Sequence, residues 1–157
     1  MGRFLLGMIP LMVCLAAAPH GRGGPKDAPR PVRVTLVVIK ASESDEATNP
    51  KLATLAKEVR KRNDEFVGFK IVNTLDKSIP LGEPYSFDLP EKQTATVTIR
   101  EGMDKAGRIE LIVKLPGLDD VTYNCVCDKF FPIVTPYKLK TGETILVAIL
   151  AKPCTGK

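Results

Sequence analysis

Residues 94–100 read TATVTIR and residues 108–115 read RIELIVKL, and these two stretches decide the fold class. In the first, apolar residues alternate with polar ones, and in the second Ile109, Leu111, Val113 and Leu115 recur at every second position, with only Ile112 interrupting the alternation. A two-residue period places the apolar side chains on one face of an extended chain, so each stretch is predicted to be a half-buried β-strand. The segment between them, Glu101–Gly107, is rich in turn residues and predicts the connection.

Further strands are predicted on both sides of this pair. Val32–Lys40 and Thr144–Ala151 are apolar on both faces, which indicates two central strands that are covered on both sides. Residues 75–78, Leu-Asp-Lys-Ser, are predicted to form a turn. The other predicted strands are shorter: Phe66–Val72, Tyr85–Leu89, Val121–Cys127 and Phe131–Tyr137. Pro80 and Pro84 indicate an edge or a bend before Tyr85, and Pro132 and Pro136 indicate an irregular or edge strand.

One amphipathic helix is predicted early in the chain, over Pro50–Arg62. Asn49 is a favourable N-cap, and proline is well tolerated at the first helical position. The apolar residues Leu52, Leu55, Ala56 and Val59 follow at helical spacing, so they are expected to cover part of the core.

Seven or eight short strands with one helix predict a mainly β (α+β) fold. We expect an antiparallel β-sandwich or a partly open barrel, formed by one β-rich domain over residues 32–154. Strands do not alternate with helices, so a doubly wound nucleotide-binding fold is not expected.

The first 31 residues predict export rather than folding. Residues 1–18 combine Arg3 with a long uncharged apolar run and end in three alanines, as secretory signal peptides do. Residues 19–31 are rich in glycine, proline and charge, and predict a disordered linker. The protein is therefore expected to be secreted or periplasmic, with no transmembrane segment in the mature chain. Lipid anchoring at Cys14 is the alternative.

Three cysteines remain after the signal peptide, namely Cys125, Cys127 and Cys154. Exported proteins meet an oxidising environment, so one disulfide is expected. A bridge between Cys125 and Cys127 would be strained, and we therefore expect Cys154 to pair with one of them. Three buried thiols, or a metal or redox site, are the alternatives.

The sequence offers few groups for catalysis. The chain has one histidine, His20, and it lies in the predicted linker, so triad chemistry and histidine–zinc sites are not expected. Neither phosphate-loop pattern, G-x-x-x-x-G-K-[ST] nor G-x-G-x-x-G, occurs, and no cofactor is predicted. The carboxylates of Glu43, Asp45 and Glu46, and the pair Asp119 and Asp120, are read as a solvated loop and a polar turn.

The basic face of the predicted helix is a possible partner surface. Its members are Lys51, Lys57, Arg60, Lys61 and Arg62. The net charge is +5, and no basic stripe interleaved with aromatic residues occurs, so nucleic acid is not an expected partner. A non-catalytic domain that binds a protein or cell-envelope component is the leading hypothesis. The alternative is a small carboxylate-based enzyme or ligand carrier in a barrel mouth.

The order of segments resembles that of small exported bacterial proteins of unassigned function. The matching pieces are Asn49–Leu52 with Leu55, Phe66 with Phe69, Pro80–Gly82, and Gly142–Ile149. The resemblance spans most of residues 32–152. It implies an exported β-rich domain with one early helix, and it implies no catalytic residue.

Overall fold

A computed structural model of the protein describes residues 30–154. Two predicted segments lie outside this range: the signal peptide, with the alternative lipid site at residue 14, and the linker apart from residues 30 and 31.

Within residues 30–154, eight strands and one α-helix follow one another. The elements are β1 (Val32–Ser42), α1 (Ala53–Arg60), β2 (Gly68–Ile79), β3 (Pro84–Asp88), β4 (Thr94–Glu101), β5 (Arg108–Lys114), β6 (Val121–Val126), β7 (Phe131–Lys138) and β8 (Thr144–Pro153). Two short 3₁₀ turns, Pro50–Leu52 and Pro90–Lys92, precede α1 and β4 respectively.

The strands form two four-stranded antiparallel sheets. Sheet I has the order β2-β1-β8-β7, and sheet II has the order β3-β4-β5-β6. The fold is therefore a β-sandwich. This confirms the mainly β prediction and favours its sandwich form over the partly open barrel. The two strands predicted to be central, β1 and β8, are the inner strands of sheet I.

Sheet I is covered on both faces, which explains why its inner strands are apolar throughout. One face packs against sheet II, and this inter-sheet core includes Leu36, Val147 and Ile149 from sheet I. The opposite face packs under α1, where Val37, Ile39, Phe69 and Leu146 are buried together with the helix residues Leu52, Ala56 and Val59. The helix therefore makes a third layer.

The helix begins as predicted and is shorter than predicted. The side chain of Asn49 accepts a hydrogen bond from the backbone N–H of Lys51 at 3.0 Å, and Pro50 follows it directly. The α-helical part ends at Arg60, and the N–H groups of Arg62 and Asn63 both donate to the carbonyl of Val59 at 3.0 Å. Lys61 and Arg62 thus lie in the closing turn.

The turn predicted at residues 75–78 is wrong, because these residues continue β2. They pair with β1 in register, for example Asp76 with Thr35 and Ser78 with Arg33. β2 is an edge strand of sheet I, and most side chains in its second half are exposed to water. Consecutive polar residues are therefore tolerated there. Asp76 is also held by Arg33 at 3.2 Å and by the hydroxyl of Thr35.

Pro84, Pro132 and Pro136 lie in edge strands, as predicted. β3, which contains Pro84, is one edge of sheet II, and β7, which contains Pro132 and Pro136, is one edge of sheet I. A proline lacks the N–H that a neighbouring strand would need, so it limits pairing with other chains at these edges.

Candidate functional site

The five basic residues of the predicted partner surface are all exposed, but they differ in what they contact. Arg60 is held within the molecule. Its Nε donates to the carbonyl of Phe66 at 3.0 Å, and its terminal nitrogens reach the carbonyl of Val67 and the hydroxyl of Thr48. Its guanidinium also lies over the ring of Phe69. Arg60 therefore makes contacts within the molecule that tie it to the loop before β2, and its role in a partner surface stays a prediction.

The other four basic residues differ in whether they form an ion pair. Lys61 forms an ion pair with Glu58 at 2.7 Å. Within residues 30–154, Lys51, Lys57 and Arg62 form no ion pair. These three keep a charge that a partner can neutralise.

An open apolar cleft of about 330 Å³ lies between the first turns of the helical segment and the outer face of sheet I. Val37 and Ala148, both buried, lie beneath it, and Leu55 and Phe130 border it. The helical segment contributes only its N-terminal part, Lys51 to Leu55, to the lining of this cleft. Its lining residues are Thr35, Val37, Lys51, Leu52, Thr54, Leu55, Ile71, Thr74, Phe130 and Ala148.

A second open cleft, of about 720 Å³, adjoins the first because Phe130 lines both. It lies between the C-terminal end of α1 and β7, and it is bordered by Arg62, Tyr123 and Phe131. The rings of Tyr123 and Phe131 are 4.9 Å apart between centroids. We call the two clefts together the helix-side groove.

Two consecutive phenylalanines give the helix-side groove its character. Phe130 is 47% exposed and Phe131 is 36% exposed, which is unusual for side chains of this size. A tight turn between β6 and β7 presents them: the N–H of Lys129 donates to the carbonyl of Val126, and Asp128 has φ of 60°. Asp tolerates this left-handed conformation better than most residues do.

The strand pattern does not predict this exposed pair. Phe131 falls in a predicted strand, and no role is predicted for Phe130. The signal for the pair is the segment Asp128-Lys129-Phe130-Phe131, in which two large apolar residues directly follow a polar turn.

The acidic residues after β1 form ion pairs with lysines. Glu43 pairs with Lys138 at 2.9 Å, and Asp45 pairs with Lys70. The hydrogen bond from Lys70 holds the pKa of the Asp45 carboxyl below its ordinary value. Glu43, Asp45 and Lys70 line a polar cleft of about 370 Å³. Glu143 also lines it, and the pKa of Glu143 is lowered chiefly by a hydrogen bond from Thr141.

Two carboxyl groups of this polar cleft, those of Asp45 and Glu143, lack the raised pKa that a general acid needs. A carboxyl group that donates a proton near neutral pH needs a raised pKa, and the pKa values of Asp45 and Glu143 are shifted downward. The remaining acidic residues singled out in the sequence, Glu46 and the pair Asp119–Asp120, lie elsewhere and do not line the cleft.

The predicted disulfide is not formed: Cys125, Cys127 and Cys154 are free. Cys125 is buried in sheet II and packs in the inter-sheet core. Cys154 has its Sγ 3.5 Å from the hydroxyl of Ser78, which pairs with exposed Arg33. Arg33 points away from the inter-sheet core, so sheet I itself separates Cys154 from Cys125. Burial raises the pKa of the Cys125 thiol to about 11, and burial also raises that of Cys127.

No helix within residues 30–154 has the length and apolar character needed to cross a membrane. No three histidine, cysteine, aspartate or glutamate side chains in this range are grouped so that they would hold a metal ion.

Comparisons with known proteins add no relative. No protein-family model, no curated protein and no solved structure matches the chain. The function is therefore inferred from the residues that line the helix-side groove.

Proposed function

We propose that the protein is an exported, non-catalytic domain that binds a protein or another cell-envelope component through the helix-side groove. The observation that carries the proposal is the exposure of Phe130, which borders the apolar cleft, and of Phe131, which borders the adjoining cleft. Full burial of one such side chain contributes roughly 1.5 to 3 kcal/mol, so a partner that covers both gains substantial affinity.

The surroundings of the two rings match those of binding surfaces in general. Aromatic side chains are enriched at the centres of protein interfaces, and charged residues surround them. Lys51 and Arg62 lie beside the aromatic residues on the helical side of the groove. An exposed apolar patch with a charged border is a typical interaction site.

The export half of the proposal is supported by the sequence. Residues 1–18 have the composition of a signal peptide, and the segment order resembles that of small exported bacterial proteins. A secreted or periplasmic location would place the groove among envelope components, which are its proposed ligands.

Site-specific photo-crosslinking in the cells that produce the protein tests the proposal. A benzoylphenylalanine is placed at Phe131 in the full chain, and a matched control carries it at Thr94, which is exposed on sheet II. We expect a discrete covalent adduct with an envelope component from position 131 and none from position 94. Equal adducts at both positions, or none at position 131, would contradict the proposal.

A further inference from the structure

The helix-side groove has a chemistry that selects among envelope components. Building on the function proposed above, we propose that it binds an acidic peptide segment of a partner protein. An apolar side chain of that segment lies between Leu55 and Phe130, and carboxylates on either side of it pair with Lys51 and Arg62.

The shape of the apolar cleft favours a peptide over a membrane. Its deepest members, Val37, Leu52 and Ala148, are buried, whereas Phe130 stands at its border. A flat bilayer would meet the border and leave the recessed surface uncovered, whereas one aliphatic or aromatic side chain can enter. The lining of this cleft is also mainly apolar, which suits a hydrocarbon side chain better than a sugar ring with its many hydroxyls.

The charges of the groove favour an acidic partner over a second copy of this chain. Lys51 lines the apolar cleft and Arg62 lines the adjoining one, and neither has an ion-pair partner within residues 30–154. In a two-fold dimer through this face, the unpaired basic side chains of one copy would approach those of the other and repel them. Carboxylates would instead be attracted to both ends of the groove.

The spacing of the two cations defines the ligand further. Lys51 and Arg62 lie at opposite ends of the helical segment, Lys51 in its first 3₁₀ turn and Arg62 in its closing turn. The eight residues of α1 between them rise 1.5 Å each, so the two backbones are at least about 12 Å apart. An extended peptide covers that distance in about four residues. The ligand is therefore expected to carry two acidic residues at least about four positions apart, with an apolar residue between them.

Selection from a random dodecapeptide library displayed on phage tests the inference. The target is the protein purified after expression of the full chain, alongside Arg62→Glu and Lys57→Glu. Lys57 is exposed on the same helix and lines neither cleft, so it is the matched control. We expect acidic residues on both sides of an apolar residue for the wild type and for Lys57→Glu.

The Arg62→Glu variant gives the most specific outcome. One acidic position should be replaced by lysine or arginine in its selected peptides, and wild-type peptides should bind this variant with a Kd about tenfold higher. The inference is overturned if no peptides are enriched, if the enriched peptides lack acidic residues, or if Arg62→Glu selects the same peptides as the wild type.

Lipid vesicles provide the second arm. We expect no binding to phosphatidylglycerol vesicles at physiological salt; binding that Arg62→Glu and Phe130→Ser both abolish would overturn the inference in favour of a membrane ligand. A crosslink from position 131 to a partner without an acidic segment would leave the proposed function intact and reject only the peptide chemistry.

Discussion

The guanidinium carbon of Arg60 lies 5.1 Å from the centroid of the Phe69 ring, which joins the end of α1 to the beginning of β2. The same side chain donates to the backbone carbonyls of Phe66 and Val67. These contacts fix the loop that closes the core beneath the helix, and they hold α1 in the position that forms the helix-side groove.

Arg60→Ala is expected to lower the free energy of unfolding by about 1 to 2 kcal/mol. It removes charge-assisted hydrogen bonds to two carbonyls and a cation–π contact. Lys57→Ala, on the same helix and exposed, should change stability by less than about 0.5 kcal/mol. Urea unfolding followed by circular dichroism measures both; equal stability losses would show that Arg60 has no special role.

Gly68→Ala is expected to destabilise the protein by at least about 2 kcal/mol, through a backbone clash. A Cβ at Gly68 would overlap the carbonyl oxygen of Asp45, in the loop that follows β1. Gly102→Ala is the control, because a Cβ there would meet only a side-chain carbon of Leu81, at 3.8 Å. Thermal unfolding compares the two variants, and a Gly68→Ala variant as stable as Gly102→Ala would refute the expected close approach.

The sequence predicted those elements whose pattern depends on one covered face. The alternation around Val97 and Leu111 places apolar side chains in the inter-sheet core, as predicted. The apolar runs of β1 and β8 are covered on both faces, by sheet II and by α1. Strand order is different, because it depends on pairings between distant residues such as Val37 with Ala148, and no local period encodes these.

The candidate site was less predictable for the same reason. Residues 75–78 resemble a turn in composition, yet they lie in edge strand β2. Most of their side chains face water there, so the strand needs no apolar pattern. Arg60 resembles its basic neighbours in sequence, and only the position of Phe69 across the loop distinguishes it. The groove requires Leu55 and Phe130, which are far apart in the chain, to border one cleft.

Glu91→Gln is expected to weaken the protein at neutral pH but not in acid. The Glu91 carboxylate, which follows β3 of sheet II, accepts hydrogen bonds from the hydroxyl of Tyr137 at 2.6 Å and from the N–H of Lys140 at 2.8 Å. It thereby links sheet II to β7 and to the residues that follow it. The hydrogen bond from Tyr137 is the main cause that lowers the pKa of Glu91.

The sign of the pH effect follows from that lowered pKa. The carboxylate stabilises the folded state fully above the pKa of an unfolded glutamate, about 4.3, and this contribution is lost as pH falls through the lower folded value. The stability difference between wild type and Glu91→Gln should therefore shrink below about pH 4. Glu83→Gln, at an exposed position, is the control. A difference that does not change with pH would contradict the assignment.

The three cysteines are expected to react with an alkylating agent as free thiols, with no disulfide between any two of them. Iodoacetamide at neutral pH should modify half-buried Cys154 before Cys125, whose buried thiol has a pKa of about 11. All three should react once urea unfolds the chain. Peptide mass mapping without reductant gives the result, and a disulfide-linked peptide pair containing Cys154 would show that the free-thiol arrangement is wrong.

Amide chemical-shift mapping tests the helix-side groove most directly. The ¹⁵N-labelled protein is titrated with a detergent-solubilised envelope extract from the producing cells, and the shifts of assigned backbone amides are followed. The account predicts that the largest changes cluster at Leu55, Arg62, Phe130 and Phe131, and that Phe130→Ser removes them. Changes centred on β4 and β5 of sheet II, or an unchanged spectrum at saturating extract, would contradict it.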